Sequence, residues 1–215
     1  MCTILREPQD VTREGYERIV RYLKQTADKG MIFKVDRSRG IECFVDADFA
    51  GGYNKADPTD PRDCLSRTGF VIKYAGCPIV WSSKLQGMLA LSTTEAEYMA
   101  LSSALREVIF LLQMAEEIQS KDIPLVWKAP VIRVRTFEDN VGAIELARLP
   151  KLRPRTKHIA IQYHHFRTWT VRGLNDEDPR IKIHHISTVE QQADILTKPI
   201  ARTQFEALRK AICGW

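Results

Sequence analysis

Apolar residues recur at helical spacing from Thr93 to Gln119, and Ala100, Leu101, Ala104, Val108, Leu111 and Ala115 form one stripe. This predicts a long amphipathic helix. The stretch "IECFVDADFA" instead alternates, with Ile41, Cys43 and Val45 on one side and Glu42, Phe44, Asp46 and Asp48 on the other, which predicts a strand. "TGFVIKYAG" and "CPIVWSSK" read as a hairpin with Gly76 and Pro78 near its turn, and "MLAL" as a further short strand. "VIRVRTF" and "RIKIHHIS" are two more strands. "NVGAIELARL", "RPRTKHIAIQYHHFRTWTVRG", "VEQQADILTKPI" and "ARTQFEALRKAICGW" have helical period. Upstream, Thr12 can cap a helix carrying Tyr16, Ile19, Val20 and Leu23 and stopped by Gly30, and "MIFKV" then reads as a short strand. The polar turn "DRSRG" sets a boundary near Gly40, and the Gly-, Pro- and Asp-rich segment from Gly51 to Arg67 is a long surface loop. Strands come first and then alternate with helices, so the fold class is α/β with a mixed sheet.

Composition narrows the picture only a little. With 215 residues and 44% hydrophobic content the chain can bury a core as one domain, or one domain plus an appendage. No apolar run approaches the roughly 18 residues a bilayer span needs, so no membrane partner is expected. "MCTILREPQD" carries no apolar stretch of the secretory type, so no targeting peptide is expected. Cys2, Cys43, Cys64, Cys77 and Cys213 are odd in number and widely separated, which suits reduced intracellular thiols. A net charge of +5 is a mild pull towards polyanions.

The acids carry more information. Glu97 falls on the apolar stripe of the long helix, whereas Glu95 shares a mixed and more solvated face with Tyr98, Ser102, Arg106 and Gln113. Ser92-x-x-Glu95 and Thr94-x-x-Glu97 each fit a capping box. Capping accounts for Glu95 but does not require a carboxylate over the sheet, so Glu97 should meet a cation. Asp139 follows a strand where the chain leaves the sheet, the usual position of α/β sites, although Asp139 or Asn140 could simply cap the next helix. Asp194, in "EQQADILTKP", could be an ordinary exposed helix residue. Asp46 sits awkwardly in what should be a central strand. Weight rests on the set of four.

The segments "FVDADFAG", "SRTGFVIKYAGCPIVWSSKLQ", "LSTTEAEYMAL", "FEDNVGAI", "RTKHIAIQYHHFR" and "EQQADILTKPI" follow one another as in copia-type retrotransposon polyproteins. From about residue 41 onwards the chain resembles the ribonuclease H domain that follows reverse transcriptase there. Residues 1–40 then read as the remnant of the connection to the polymerase, and residues 41–215 as the ribonuclease H-like domain. The resemblance implies a mixed five-stranded sheet flanked by helices and a hydrolase that cuts the RNA strand of RNA–DNA hybrids. It implies that Asp46, Glu97, Asp139 and Asp194 hold two Mg2+ ions, with Mn2+ able to substitute. It also implies that a histidine before the last acid assists turnover, His184 and His185 both being candidates. Electrostatics agrees, because like charges about 5 Å apart repel by roughly 3 kcal/mol at an effective dielectric near 20, and oxygen donors select hard cations.

Arg153, Arg155, Lys157, His158, His165 and Arg167 form a one-signed stretch among aromatic residues that suits phosphate contact. The expected partners are the RNA–DNA hybrid and the polymerase domain of the same polyprotein. The expected location is intracellular, in a cytoplasmic retroelement particle or the nucleus. Two rival readings are a non-catalytic hybrid-binding module and a DNA-acting nuclease of the same fold.

Overall fold

The computed structural model describes residues 10–53, 61–121, 123, 132–149, 161–171 and 178–215. Five strands, β1 (Ile41–Asp48), β2 (Arg67–Tyr74), β3 (Cys77–Leu85), β4 (Val134–Glu138) and β5 (Ile181–His185), form one sheet in the order β3-β2-β1-β4-β5. The first three pair antiparallel, while β4 joins β1 and β5 joins β4 in parallel. The expected mixed five-stranded sheet is therefore present. The helices are α1 (Asp10–Gln25), α2 (Thr93–Ser120), α3 (Val141–Arg148), α4 (Arg167–Thr170), α5 (Asp194–Thr197) and α6 (Arg202–Cys213).

The main core lies between the sheet and α2. Ile41, Cys43 and Val45 of β1 and Phe70 and Ile72 of β2 meet Leu101, Ala104, Leu105, Val108 and Leu112 of the helix. Small residues on the α2 stripe let the long helix lie close to the strands, and close packing there holds Glu97 over the sheet. A smaller cluster of Phe44, Val71 and Ala193, backed by Leu196 and Ile212, fills the opposite face under α5 and α6. The β2–β3 hairpin turns on Ala75 and Gly76 at φ 51° and 80°, the left-handed pair of a two-residue turn.

Several expected elements differ. "MIFKV" is not a strand: Met31, Ile32, Phe33 and Val35 are exposed, and single backbone bonds from Ile32 N to Cys213 O and from Asp36 N to Ala75 O replace a ladder. β-propensity without a neighbouring edge does not make a strand. "MLAL" is likewise irregular, with only Ala90 buried. The first helix ends at Gln25, short of Gly30. Of "VEQQADILTKPI" only Asp194–Thr197 is helical, and Pro199 sets its end by biasing Lys198 to an extended backbone (φ −135°, ψ 154°). Among the described residues no helix is long and apolar enough to cross a membrane.

Candidate active site

Parallel pairing of β1 with β4 ends with Phe44 opposite Phe137, so Asp46 and Asp139 each stand two residues beyond that last pair. The first turns of α2 come over the same strand ends. Carboxylate oxygens of Asp46, Glu97 and Asp139 lie within 4.8 Å of one another. Asp46 is 1% exposed and Glu97 7% exposed, and Glu97 Oε2 has no hydrogen-bond partner.

Local capping explains how these acids are left available. Ser92 Oγ accepts from Glu95 N at 3.1 Å, and Glu95 in turn accepts from Leu91 N at 2.9 Å. One box is thus filled by Ser92 and Glu95, and Glu97 takes no part in it. Glu95 is buried rather than on a solvated face, since the turn at residue 91 folds back over it. Asn140, not Asp139, caps α3 by accepting from Ala143 N at 3.0 Å. Asp139 is free to accept from Thr188 Oγ1 at 2.8 Å. Gly142 lets the two helix starts approach, for a Cβ there would lie 2.9 Å from Thr94 Oγ1.

A strap running from Ser187 to Lys198 closes the cluster. The buried Gln191 donates through Nε2 to Val45 O at 2.8 Å and Phe137 O at 3.4 Å, tying the ends of β1 and β4 together. Beyond it, Asp194 is buried rather than exposed, and Thr197 Oγ1 donates to Asp46 Oδ2. Lys198 Nζ stands 3.3 Å from Asp46 Oδ1 and 3.0 Å from Asp194 Oδ1. Asp194 therefore meets Asp46 across an ammonium on the α5 side of the cluster, outside the trio that lies within 4.8 Å.

Electrostatics follows from this crowding. Burial, then the carboxylates of Glu138, Asp46 and Asp139, push Glu97 up to about 11. Burial and the Asp46 charge push Asp194 up to about 7. Burial would lower the Lys198 ammonium, but the flanking Asp46 and Asp194 outweigh it and hold it above the usual lysine range. Among the described residues no cationic side chain pairs with Glu97, and the Lys198 ammonium only partly offsets the surrounding carboxylates. Oxygen-only donors, an unpartnered buried carboxylate oxygen and mutual repulsion are properties that fit a hard divalent cation.

The chain is 33% identical over 199 residues, 93% of its length, to the retrovirus-related Pol polyprotein from transposon RE1 of Arabidopsis thaliana, covering 12% of that polyprotein. It is 34% identical over 199 residues to the Pol polyprotein from transposon TNT 1-94 of Nicotiana tabacum, covering 13% of it. The chain belongs to the copia-type retrotransposon Pol family. It thus spans about an eighth of the length of these relatives. Strand order, pairing and family membership give a ribonuclease H-like fold. The N-terminal ribonuclease H domain of rv2228c from Mycobacterium tuberculosis, solved fused to maltose binding protein, is similar at a TM-score of 0.45 and 14% identity, over 74% of this chain and 96% of that one. No protein-family model matches the chain.

The two histidines of this copia-type domain separate cleanly. On β5 the buried Ile181 and Ile183 join the main core, on the side of α3 and α4, so His185 lies on that same face at the strand's end, opposite Glu138. His184 lies on the other face against Phe137, with ring centroids 5.8 Å apart. Arg153, Arg155, Lys157 and His158 fall outside the described residues. Of the remaining basic candidates, His165 is exposed, and Arg167 is half-buried at the start of α4. His165 and its neighbour His164 reach α2: His164 Nδ1 is 2.7 Å from Tyr98 Oη and His165 Nδ1 is 3.4 Å from Ser102 Oγ. These contacts cover the helix face that the sequence suggested was solvated.

One acid went unrecognised. Glu138 is fully buried, accepts from Asn140 N through Oε1 at 3.1 Å, and has no partner for Oε2. Burial first, and then the charges of Asp139 and Asp46, hold it well above the ordinary carboxylate range. Ending the strand at Phe137 hid it, although the alternation Val134, Thr136, Glu138 already pointed it inward. Gly69, Thr188, Gln191, Thr197 and Lys198 also escaped notice, because a lone glycine or polar residue near a site carries no periodic signal.

Proposed function

We propose that this domain is an endonuclease that hydrolyses the RNA strand of RNA–DNA hybrids with the help of two divalent metal ions. The observation that carries the reading is the convergence of Asp46, Glu97 and Asp139 within 4.8 Å, from three different elements of a copia-type chain. Asp46, Glu97, Asp139 and Asp194 are the residues that would hold Mg2+, or Mn2+ in its place. The ions would supply Lewis-acid charge for an attacking water and a departing 3′-oxygen.

The chain's own groups have defined tasks in this reading. Asp46, engaged from both the trio and the strap, would be the ligand shared by the two groups of acids. Thr188 orients Asp139, and Thr197 orients Asp46. His185, exposed at the end of β5 and paired with Glu138 next to Asp139, is suited to carry a proton to or from the leaving group. Gln191 keeps β1 and β4 at the separation that the trio requires. The basic stretch including Arg153, Arg155, Lys157, His158, His165 and Arg167 would contact phosphates. The polymerase region of the same polyprotein would deliver the hybrid.

The test is cleavage of a labelled RNA–DNA hybrid in Mg2+ with duplex DNA in parallel. Hybrid-specific cutting, abolished by Asp46→Asn, is expected. Binding without cutting at any metal concentration would make the domain a hybrid-binding module, and equal cutting of duplex DNA would make it a DNA nuclease.

A further inference from the structure

The acidic cluster has two unlike sides. Towards α2, Asp46, Glu97 and Asp139 converge with one carboxylate oxygen unpartnered. Towards α5, Asp46 and Asp194 already share a cation, the Lys198 ammonium, at 3.3 and 3.0 Å. Both oxygens of Asp46 are engaged from this second side, Oδ2 by the Thr197 hydroxyl and Oδ1 by Lys198.

We infer that Lys198 is a positioning residue that competes with divalent cations for Asp46 and Asp194, so that metal entry on the α5 side is an exchange of ammonium for metal. The inference rests on the metal-centre reading of the cluster. An ammonium between two carboxylates that also await a divalent ion must leave before both can ligate, since like charges cannot share that space. Lys198 can leave. Its side chain is 31% exposed, its backbone is extended outside the α5 turn, and its four-carbon stem reaches solvent without moving Asp194. Its compact charge makes no bidentate fork that would lock it in place. While paired it holds the two acids together, which keeps the ligands in register for the incoming ion. A lysine serving only to staple α5 to β1 would affect stability and leave metal affinity alone.

Calorimetric titration of the whole chain with Mn2+ and with Mg2+, without nucleic acid, separates these roles. Lys198→Gln should bind metal about tenfold more tightly at the weaker step, the factor expected for relieving the two partly exposed ion pairs of Lys198. Lys198→Arg should bind it close to the wild-type affinity. On the unaltered chain, acetylation at Lys198, read by mass spectrometry, should quicken when Mg2+ is added, which tests the exchange even where the variant folds poorly. Equal or weaker metal binding by Lys198→Gln, or protection of Lys198 by Mg2+, overturns the exchange while leaving the metal centre standing. Absence of metal binding by both chains overturns the metal-centre reading itself.

Discussion

Asp46 and Gly69 are directly paired across β1 and β2, and the missing side chain of Gly69 is what lets α5 reach Asp46. A Cβ on Gly69 would lie 2.5 Å from Thr197 Cγ2 and 3.2 Å from Ala193 O. The backbone oxygen cannot yield without lifting the whole turn that carries Asp194, Thr197 and Lys198. Gly69→Ala should therefore cost roughly 1–3 kcal/mol of stability through overpacking and should weaken hybrid cleavage and Mn2+ binding together. Denaturant unfolding and calorimetry check both, and normal metal affinity in a folded Gly69→Ala would refute this role.

Glu138 is a buried acid whose neighbours are acids. Replacing it by Gln keeps a carbonyl oxygen for Asn140 N and removes one member of the repelling group. Glu138→Gln should raise the unfolding midpoint in chelator by several degrees, on the scale of about 4 °C or less per kcal/mol for a chain this long. The same variant should narrow the gain in midpoint on adding Mg2+. A lowered midpoint in chelator would show that the Glu138 charge is compensated in a way the geometry does not reveal.

Stability should depend on pH in a definite direction. Asp194 and Glu97 have folded-state values pushed up to about 7 and about 11, both above ordinary carboxyls, so the folded chain binds protons more tightly than the unfolded one. Their contribution is complete below the ordinary carboxylate range and is lost as pH rises. Asp194 contributes its loss up to about 7 and Glu97 continues it towards about 11. Thermal melts in chelator should fall through this window, and saturating Mg2+ should flatten the decline because metal replaces the protons. A midpoint in chelator that climbs from pH 5 to pH 8 would contradict these shifts.

The faces of β5 assign different consequences to neighbouring histidines. His185→Ala should slow hybrid turnover on the order of a hundredfold, the scale of a lost proton carrier, with little change in unfolding. His184→Ala should leave turnover nearly intact and cost about 1 kcal/mol from the contact with Phe137. Rate measurements paired with melts decide it, and the reverse pattern would mean that the catalytic proton moves on the other face.

Much was legible in local pattern. Alternation in Ile41–Asp48 and the apolar stripe of Thr93–Ser120 depend only on backbone periods of two and 3.6, and both elements form as read. The oddity of Glu97 on that stripe was visible because a carboxylate violates a periodic expectation. Strand readings at "MIFKV" and "MLAL" failed because strand formation needs a partner edge, which no local window contains. Glu138 was missed through a one-residue error at a strand end, where alternation gives the least warning.

The sequence by itself determined the first strand, the long helix and the misfit of Glu97 on its stripe, because each is a matter of backbone period. Only the tertiary structure decided that Asp46, Glu97 and Asp139 share one small space, that Asp194 meets Asp46 across Lys198, and that Gly69 makes room for this meeting. The reason is range: periodicity is set by neighbours a few residues apart. A site built from residues 46, 97, 139 and 194 is set by strand register and by how closely one turn of helix can approach a sheet.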